Sequence, residues 1–205
     1  MSGLDPIVAE ARERLMRRAR REGLETVGYR VVDSPLGPLW VAVGPRGLLN
    51  IHYGVEPSSL ELRRIVRAYG PGVLPDARRV DDVARELDQY FSGRRREFDV
   101  TVDLSPLTPF QRKVLAVTAR VPYGELTTYA RVAHTTGNDR AYRAAAGAIG
   151  DNPIPIVVPC HRVVASDGTL GGYAGGLDAK RRLLKLERGA AVPPGGWPPA
   201  RLSRI

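Results

Sequence analysis

The sequence predicts a mixed α/β chain of two domains, the second of which is a winged helix. Two observations favour this class. The first half alternates strand-like and helix-like patterns, and the second half sets three short helical patterns before a hairpin signal. A length of 205 residues allows one large domain or two small ones, and 43% hydrophobic residues are enough for folded cores.

The first domain is assigned to residues 25–104 and resembles a scaffold. Segment 29–54 contains three strand-like runs, which are separated by Ser-Pro-Leu-Gly and Gly-Pro-Arg-Gly turns. Segments 57–70 and 80–93 have the pattern of amphipathic helices that end at glycine, and 96–104 alternates like a strand. No cluster of charged residues in this half suggests a reactive site.

The second domain is assigned to residues 105–189 and is mainly helical. Thr108 to Gln111 form a capping box with proline at the first helical position, which predicts a helix to about Val121. A short helix from about Thr128 to Gly137 and a third over 139–150, capped by Asn138, complete a helix-turn-helix pattern. An Asp-Gly pair in "VVASDGTLGGY" predicts a hairpin, and a last helix over 177–188 ends at Gly189.

The termini and the composition exclude several classes of protein. Residues 1–24 predict an amphipathic helical extension, whose apolar face holds Ile7, Val8, Ala11, Leu15 and Ala19, and the Pro/Gly-rich tail 190–205 predicts irregular structure. No apolar run is long enough to cross a membrane or to serve as a secretory signal. A single cysteine excludes an internal disulfide and a four-cysteine zinc site, and it fits a reducing, cytoplasmic setting.

The positive charge lies almost entirely in the second half of the chain. Residues 1–105 carry 17 basic and 16 acidic residues, whereas residues 106–205 carry 14 and 6. Such asymmetry favours a polyanionic partner such as nucleic acid. A general basic bias that serves solubility is the alternative.

The predicted helix 139–150 has an unusual composition on one face. Positions 140, 143, 144 and 147 share that face, and they hold Arg140, Arg143, Ala144 and Gly147. Small residues beside two arginines allow close approach to a confined surface such as the minor groove of DNA. A core helix that packs through its alanines is the alternative interpretation.

The lone thiol, Cys160, is followed directly by His161 and Arg162. A buried single cysteine is most often an inert small hydrophobe, but neighbouring cationic and hydrogen-bonding groups favour the reactive thiolate. Adjacent side chains in an extended segment point in opposite directions, so the sequence does not guarantee a direct hydrogen bond between the cysteine and the histidine, and a bridging water is the alternative. Glu187 shares the inward face of the last helix with Lys180 and could orient the histidine as a buried carboxylate; a surface glutamate is the alternative.

Taken together, three motifs resemble the O6-alkylguanine-DNA alkyltransferase family. They are "FQRKVLAVTARVPYGELTTY", "NPIPIVVPCHRVV" with the Pro-Cys-His-Arg-Val signature, and "GGYAGG". The match covers about residues 106–189 with the expected spacing, while the first half matches only in general layout. The resemblance implies a ribonuclease H-like α/β roll followed by a winged-helix DNA-binding domain that carries the active site.

The resemblance also implies a function. The protein would bind duplex DNA through the minor groove as a monomer, with cooperative binding along the DNA as an option. In a bacterium it would associate with the nucleoid. It would flip the damaged guanine out of the helix and transfer the alkyl group irreversibly to Cys160, once per molecule and without metal or cofactor.

By position, the resemblance assigns roles to individual residues. Cys160 would be the nucleophile, His161 the water-mediated base, Glu187 its orienting partner, and Asn152 the support of the active-site turn. Arg143 would fill the space of the flipped nucleotide, with Arg140, Ala144 and Gly147 on the same DNA-binding face. Tyr129 would assist flipping and donate a proton or hydrogen bond to the base. The substrate pocket would comprise Tyr173, Gly171, Ala174, Val163 and Pro155.

The chain departs from the family pattern at several of these positions. Tyr142 stands where relatives often have alanine, Asp139 often aligns with proline, and Ala174 stands where some relatives have serine. Two other functions remain open from the sequence: a winged-helix damage sensor or regulator without transfer, and a cysteine hydrolase. Non-transferring relatives lack the active-site cysteine, and no second histidine motif supports a hydrolase.

Overall fold

The computed structural model describes residues 27–137 and 139–189, together with isolated positions between 10 and 23. The predicted N-terminal helix therefore falls largely outside the described residues. Asn138 and the tail from residue 190 onward fall wholly outside them. In the part of the chain that the structure describes, no helix is both long and apolar enough to cross a membrane.

The first half folds around a four-stranded sheet. Strands β1 (Val27–Val32), β2 (Leu39–Gly44) and β3 (Gly47–Tyr53) form an antiparallel meander, and β4 (Val73–Pro75) pairs in parallel with β1, giving the order β3-β2-β1-β4. The three strands predicted within 29–54 are thus confirmed. The turn between β1 and β2 closes through a hydrogen bond from Gly37 N to Ser34 O (3.0 Å).

Two amphipathic helices accompany this sheet, as the sequence predicts. Helix α1 (Ser59–Tyr69) begins with a capping box between Ser58 and Glu61. Helix α2 (Ala77–Phe91) begins at Asp76, whose carboxylate accepts a hydrogen bond from Arg78 N. Its inward face packs against the sheet and contributes Val80, Val83, Leu87 and Tyr90 to the main core.

Segment 96–104 does not form a regular strand, so that prediction was wrong. Its pairing with the sheet is one parallel bridge between Leu48 and Val102. The buried carboxylate of Glu86 accepts hydrogen bonds from the backbone N–H groups of Asp99 (2.9 Å) and Val100 (3.4 Å). The Glu86 side chain therefore provides the hydrogen bonds that a neighbouring strand would provide to these backbone N–H groups in a regular sheet.

The helix-turn-helix pattern of the second half is present, with one change in its third helix. Helix α3 (Pro109–Ala119) has the predicted capping box, and α4 (Tyr129–Thr135) is capped by Thr128, whose side chain accepts from Arg131 N. The third helix begins as a 3-10 turn (Asp139–Ala141) before it continues as α5 (Tyr142–Gly150). Ala141 provides no side-chain cap at that junction.

The predicted hairpin after Cys160 is not formed among the described residues. Strand β6 (Val163–Val164) pairs instead in parallel with β5 (Thr127–Thr128). The Asp-Gly pair instead lies in a turn that is closed by a hydrogen bond from Ala165 N to Thr169 O (2.8 Å). Within this turn the Asp167 carboxylate accepts hydrogen bonds from both the backbone N–H and the hydroxyl of Thr169, which stabilises it. The chain then runs as a loop to helix α6 (Gly176–Arg188), which ends at Gly189 with φ +66°.

The segment before the cysteine is packed between the two halves of the molecule. Ile154, Ile156 and Val158 are buried in the same core cluster as strands β2 and β3, and Ile51 N donates to Pro153 O (2.8 Å). Ile156 has φ +76°, a conformation that a β-branched residue adopts only when its surroundings enforce it. The backbone that carries the thiol is therefore held by packing on both sides.

Candidate active site

Cys160 begins a 3-10 turn (Cys160–Arg162) at the end of this buried segment, and it is only 5% exposed. Asn152 braces the segment from within. Its side-chain amide donates to Val158 O (2.8 Å), and its carbonyl oxygen accepts from Ile154 N (3.0 Å). Cys160 packs in one apolar cluster with Tyr129, Val163 and the buried face of α5.

The environment of the thiol differs from the sequence expectation. Burial raises the pKa of Cys160 above its ordinary value, although the Asn152 side chain, the Lys180 charge and nearby backbone N–H groups oppose the shift. The sequence predicted a sulfur held ionised by its neighbours. The structure instead indicates a protonated thiol at rest, because the loss of hydration outweighs these partners. Any nucleophilic step therefore needs a base.

His161 is placed and polarised as such a base. Its Nε2 lies 2.8 Å from Glu187 Oε1, and both side chains are completely buried. Burial lowers the pKa of His161 against the opposing charge of Glu187, so the ring is neutral near pH 7. Because the carboxylate accepts, the Nε2 atom carries the proton and Nδ1 keeps a free lone pair. Nδ1 is buried and has no hydrogen-bond partner among the described residues.

Glu187 is the centre of a dense donor network. Burial alone would raise the pKa of this carboxyl, yet His161 and Arg162 hold it well below its usual range. Arg162 donates to both carboxylate oxygens, from Nε at 2.9 Å and Nη2 at 2.8 Å. Tyr90 Oη (2.6 Å) and Gly124 N (3.1 Å) complete the set. Glu187 is therefore a buried anion, as the helical pattern predicted.

Sequence reasoning missed the role of Tyr90, and it noticed Arg162 only as a neighbour of the thiol. Tyr90 comes from α2, 97 residues before Glu187. In sequence it is an ordinary apolar position of an amphipathic helix, and no local signal indicates its partner. Arg162 was visible next to His161, but its pairing with Glu187 depends on how α6 packs against the turn.

Tyr129 and Lys180 are also neighbours of the thiol. Burial raises the pKa of Tyr129 to about 12, so its hydroxyl keeps its proton. Lys180 Nζ donates hydrogen bonds to Val163 O (2.7 Å) and to Leu170 O. Burial lowers the pKa of Lys180 to about 8. Sequence reasoning placed Lys180 on the inward face but gave it no function.

The predicted pocket residues fall into two groups. Val163 and Pro155 are buried, and Tyr173 is half-buried with its ring 6.4 Å from that of His161. Gly171 and Ala174 are exposed in the loop before α6. A Cβ on Gly171 would lie 2.8 Å from Tyr129 Oη, so this glycine, with φ +64°, allows the loop to approach the tyrosine closely.

Helix α5 has two distinct faces. Ala145, Ala148 and Ile149 are buried, whereas the predicted binding face is exposed: Arg140, Arg143, Ala144 and Gly147. The alternative, a core helix that packs through its alanines, therefore holds for the buried face with Ala145 and Ala148, whereas the face with Ala144 is exposed. Tyr142 is 40% exposed at the start of α5, and its ring meets that of Tyr129 edge-on, with the ring centroids 6.2 Å apart. The exposed helix face is thus contiguous with the wall of the thiol site.

Comparison with known proteins assigns both halves of the chain to one family. Residues 27–104 match the ribonuclease-like domain of 6-O-methylguanine DNA methyltransferase, and residues 109–189 match its DNA-binding domain. The chain therefore belongs to the 6-O-methylguanine DNA methyltransferase family. This finding confirms the fold class and the alkyl-transfer activity that the sequence predicted.

Individual relatives agree with the family match over most of their length. The methylated-DNA–protein-cysteine methyltransferase of Methanosarcina barkeri is 39% identical over 78% of this chain and 96% of its own. That of Mycolicibacterium paratuberculosis is 41% identical over 79% and 93%. The crystal structure of the Mycobacterium tuberculosis O6-methylguanine methyltransferase superposes with a TM-score of 0.69 at 38% identity, covering 82% of this chain and 96% of that one. A Mycobacterium tuberculosis structure in complex with DNA matches with the same score and identity, covering 80% and 94%.

Proposed function

We propose that the protein repairs O6-alkylguanine in duplex DNA by moving the alkyl group onto Cys160. The observation that carries this proposal is the thiol site itself. The chain's one cysteine thiol is buried behind an exposed basic helix face, beside the buried pair of His161 and Glu187. Among the residues that the structure describes, Nδ1 of His161 has no hydrogen-bond partner. A similar protein has been crystallised in complex with DNA, which supports a DNA partner for this chain.

The chemistry follows from the resting state of the site. The thiol proton passes to His161 Nδ1 through one water, and Glu187 stabilises the imidazolium that forms. The sulfur then attacks the alkyl carbon, a carbon–sulfur bond forms, and the bond from carbon to O6 breaks with its electrons going to guanine. The guanine anion finally takes up one proton from solvent, and His161 releases the former thiol proton to solvent through the same water, so that both the ring and the histidine end neutral. Tyr129, whose hydroxyl stays protonated, donates a hydrogen bond to the ring as charge develops.

Helix α5 is the element proposed to meet the DNA. Its exposed Ala144 and Gly147 allow close approach to the minor groove, while Arg140 and Arg143 face the phosphates and the base stack. The thiol is too buried to reach a base inside a duplex, so the damaged nucleotide must be flipped outward. Arg143 occupies the vacated space, which offsets part of the unstacking cost.

The product limits each molecule to one reaction. A thioether is not readily cleaved by water or by another thiol, and the chain has no second cysteine that could regenerate the first. We propose that the protein acts as a monomer in the cytoplasm, and that no metal or organic cofactor takes part. Binding of neighbouring copies along DNA remains an expectation that footprint titration would measure.

Duplex DNA carrying one O6-methylguanine tests this function. Wild-type protein should remove one equivalent of methyl and then stop, whereas Cys160→Ala should bind the same duplex without transfer. Binding by the wild type without removal of methyl would support a damage sensor instead. Continuous turnover of a simple ester by the wild type, abolished in Cys160→Ala, would support a cysteine hydrolase.

A further inference from the structure

A pair of tyrosines connects the first domain to the wall of the thiol site. Tyr53 is the last residue of β3, and its hydroxyl lies 2.7 Å from that of Tyr173, 120 residues later. The two rings meet edge-on with centroids 5.8 Å apart. Tyr53 was read from the sequence only as part of a strand, because nothing local indicates this contact.

Tyr53 is held firmly from its own side. The register of the meander pairs it with Leu39, and Gly54 N donates to Pro38 O (2.8 Å) directly after it. Its ring also lies against the backbone of the loop, since a Cβ on Gly175 would come within 2.7 Å of it. Burial raises the pKa of Tyr53, although its hydrogen bond with Tyr173 opposes the shift.

Tyr173, by contrast, lies in the loop that precedes α6. Residues 165–175 form no strand, and Lys180 holds this loop near its middle through Leu170 O. Tyr173 reaches inward from the far part of the loop, and its ring stands edge-on to His161. The bond to Tyr53 therefore fixes how far this ring projects into the space beside the reacting sulfur.

We propose that Tyr53 is a positioning residue by which the first domain sets the depth of the pocket wall at Tyr173, and so the size of alkyl group that the site accepts. This inference rests on the proposed function. Tyr53→Phe keeps the ring that packs on Gly175 but removes the hydroxyl bond. Tyr173 then retreats, so a small methyl group is held less well while a bulky benzyl group gains room.

Single-turnover transfer from two duplexes tests this inference, one carrying O6-methylguanine and the other O6-benzylguanine. In Tyr53→Phe the ratio of methyl to benzyl rate constants should fall about three- to tenfold, the range for the loss of one neutral hydrogen bond. Tyr69→Phe is the matched control. It also loses a first-domain hydroxyl, one bonded to Arg46 and Asp103, and should keep the wild-type ratio.

A double-mutant cycle separates a specific effect of the Tyr53–Tyr173 hydrogen bond on the pocket wall from a general loss of order in the site. Tyr173→Phe removes the same bond from the other partner, so it should shift the ratio similarly, and the double variant should add little to either single change. An unchanged ratio in Tyr53→Phe, equal loss with both lesions, or fully additive effects would overturn the inference. If Tyr53→Phe does not fold, an unchanged ratio in Tyr173→Phe overturns it. Failure of the wild type to transfer either group would instead refute the proposed function.

Discussion

Replacement of Glu187 by glutamine removes one charge from the centre of the buried network and keeps the size of the side chain. In the wild type the Glu187 carboxylate accepts hydrogen bonds from four residues: Tyr90, Gly124, His161 and Arg162. In the variant Arg162 becomes a buried cation without its counter-ion. Removing one partner of a buried pair costs about 3–5 kcal/mol, so the free energy of unfolding should fall by about that amount.

The same change should disable the base. A glutamine amide group can donate to His161 Nε2, which moves the ring proton to Nδ1 and removes the lone pair that would take the thiol proton. General-base catalysis contributes about 10²–10⁴-fold, and we expect a loss of that size in the single-turnover rate constant for methyl transfer. Rapid-quench measurement with lesion duplex, at a temperature where the variant is folded, gives this rate directly.

The matched control is Glu86→Gln, which changes another buried carboxylate of the first domain. Glu86 bonds Asp99 N and Val100 N and lies 3.5 Å from Arg95, away from the thiol. This variant should lose stability but keep the wild-type transfer rate. A folded Glu187→Gln protein whose rate stays within about threefold of the wild type would refute the assignment of His161 as the general base and Glu187 as its orienting partner.

The pH dependence of stability offers a second check on Glu187. Its folded-state pKa is depressed below the ordinary value of 4.5. Its charge therefore stabilises the fold at every pH above about 4.5, and this contribution is lost as the pH falls through the folded-state pKa. In urea titrations the difference in the free energy of unfolding between the wild type and Glu187→Gln should be largest at neutral pH and should decrease below pH 4.5.

Three further outcomes are expected. Arg143→Ala should slow repair of duplex DNA more than reaction with free O6-benzylguanine, since only the duplex requires flipping; equal losses would contradict that role. Gly171→Ala should destabilise the protein by about 1–2 kcal/mol and slow transfer, because its φ of +64° is strained for alanine and the methyl group displaces Tyr129; Gly172→Ala, with open space around it, should leave both nearly unchanged. The transfer rate should stay constant from pH 8 down to about 6.5 and fall only below it, because burial lowers the pKa of His161; a decline that begins above pH 7 would argue against a neutral histidine.

The parts of the site that were predictable are those with a local signal. The spacing of Lys180, Leu183, Leu184 and Glu187 identified the inward face of α6, and all four are buried. The capping box at Thr108 fixed the start of α3. The exposed face of α5 followed from the same helical period, even though its first turn proved to be 3-10.

The parts that were not predictable depend on contacts between distant segments. Tyr53 and Tyr90 carry no sequence signal, since their hydroxyl partners are supplied by the other half of the chain. The alternating pattern of 96–104 indicated a strand, but the Glu86 carboxylate takes up backbone groups there. The protonated state of Cys160 could not be inferred either, because adjacent cationic residues were visible in the sequence while the depth of burial was not.

Mass spectrometry of the protein after reaction tests the central claim most directly. After incubation with duplex containing one O6-methylguanine, digestion should yield the peptide around Cys160 heavier by one methyl group in place of the thiol hydrogen. The DNA should contain unmodified guanine in equal amount. Recovery of a free Cys160 thiol from a reaction in which the lesion has disappeared would contradict the account.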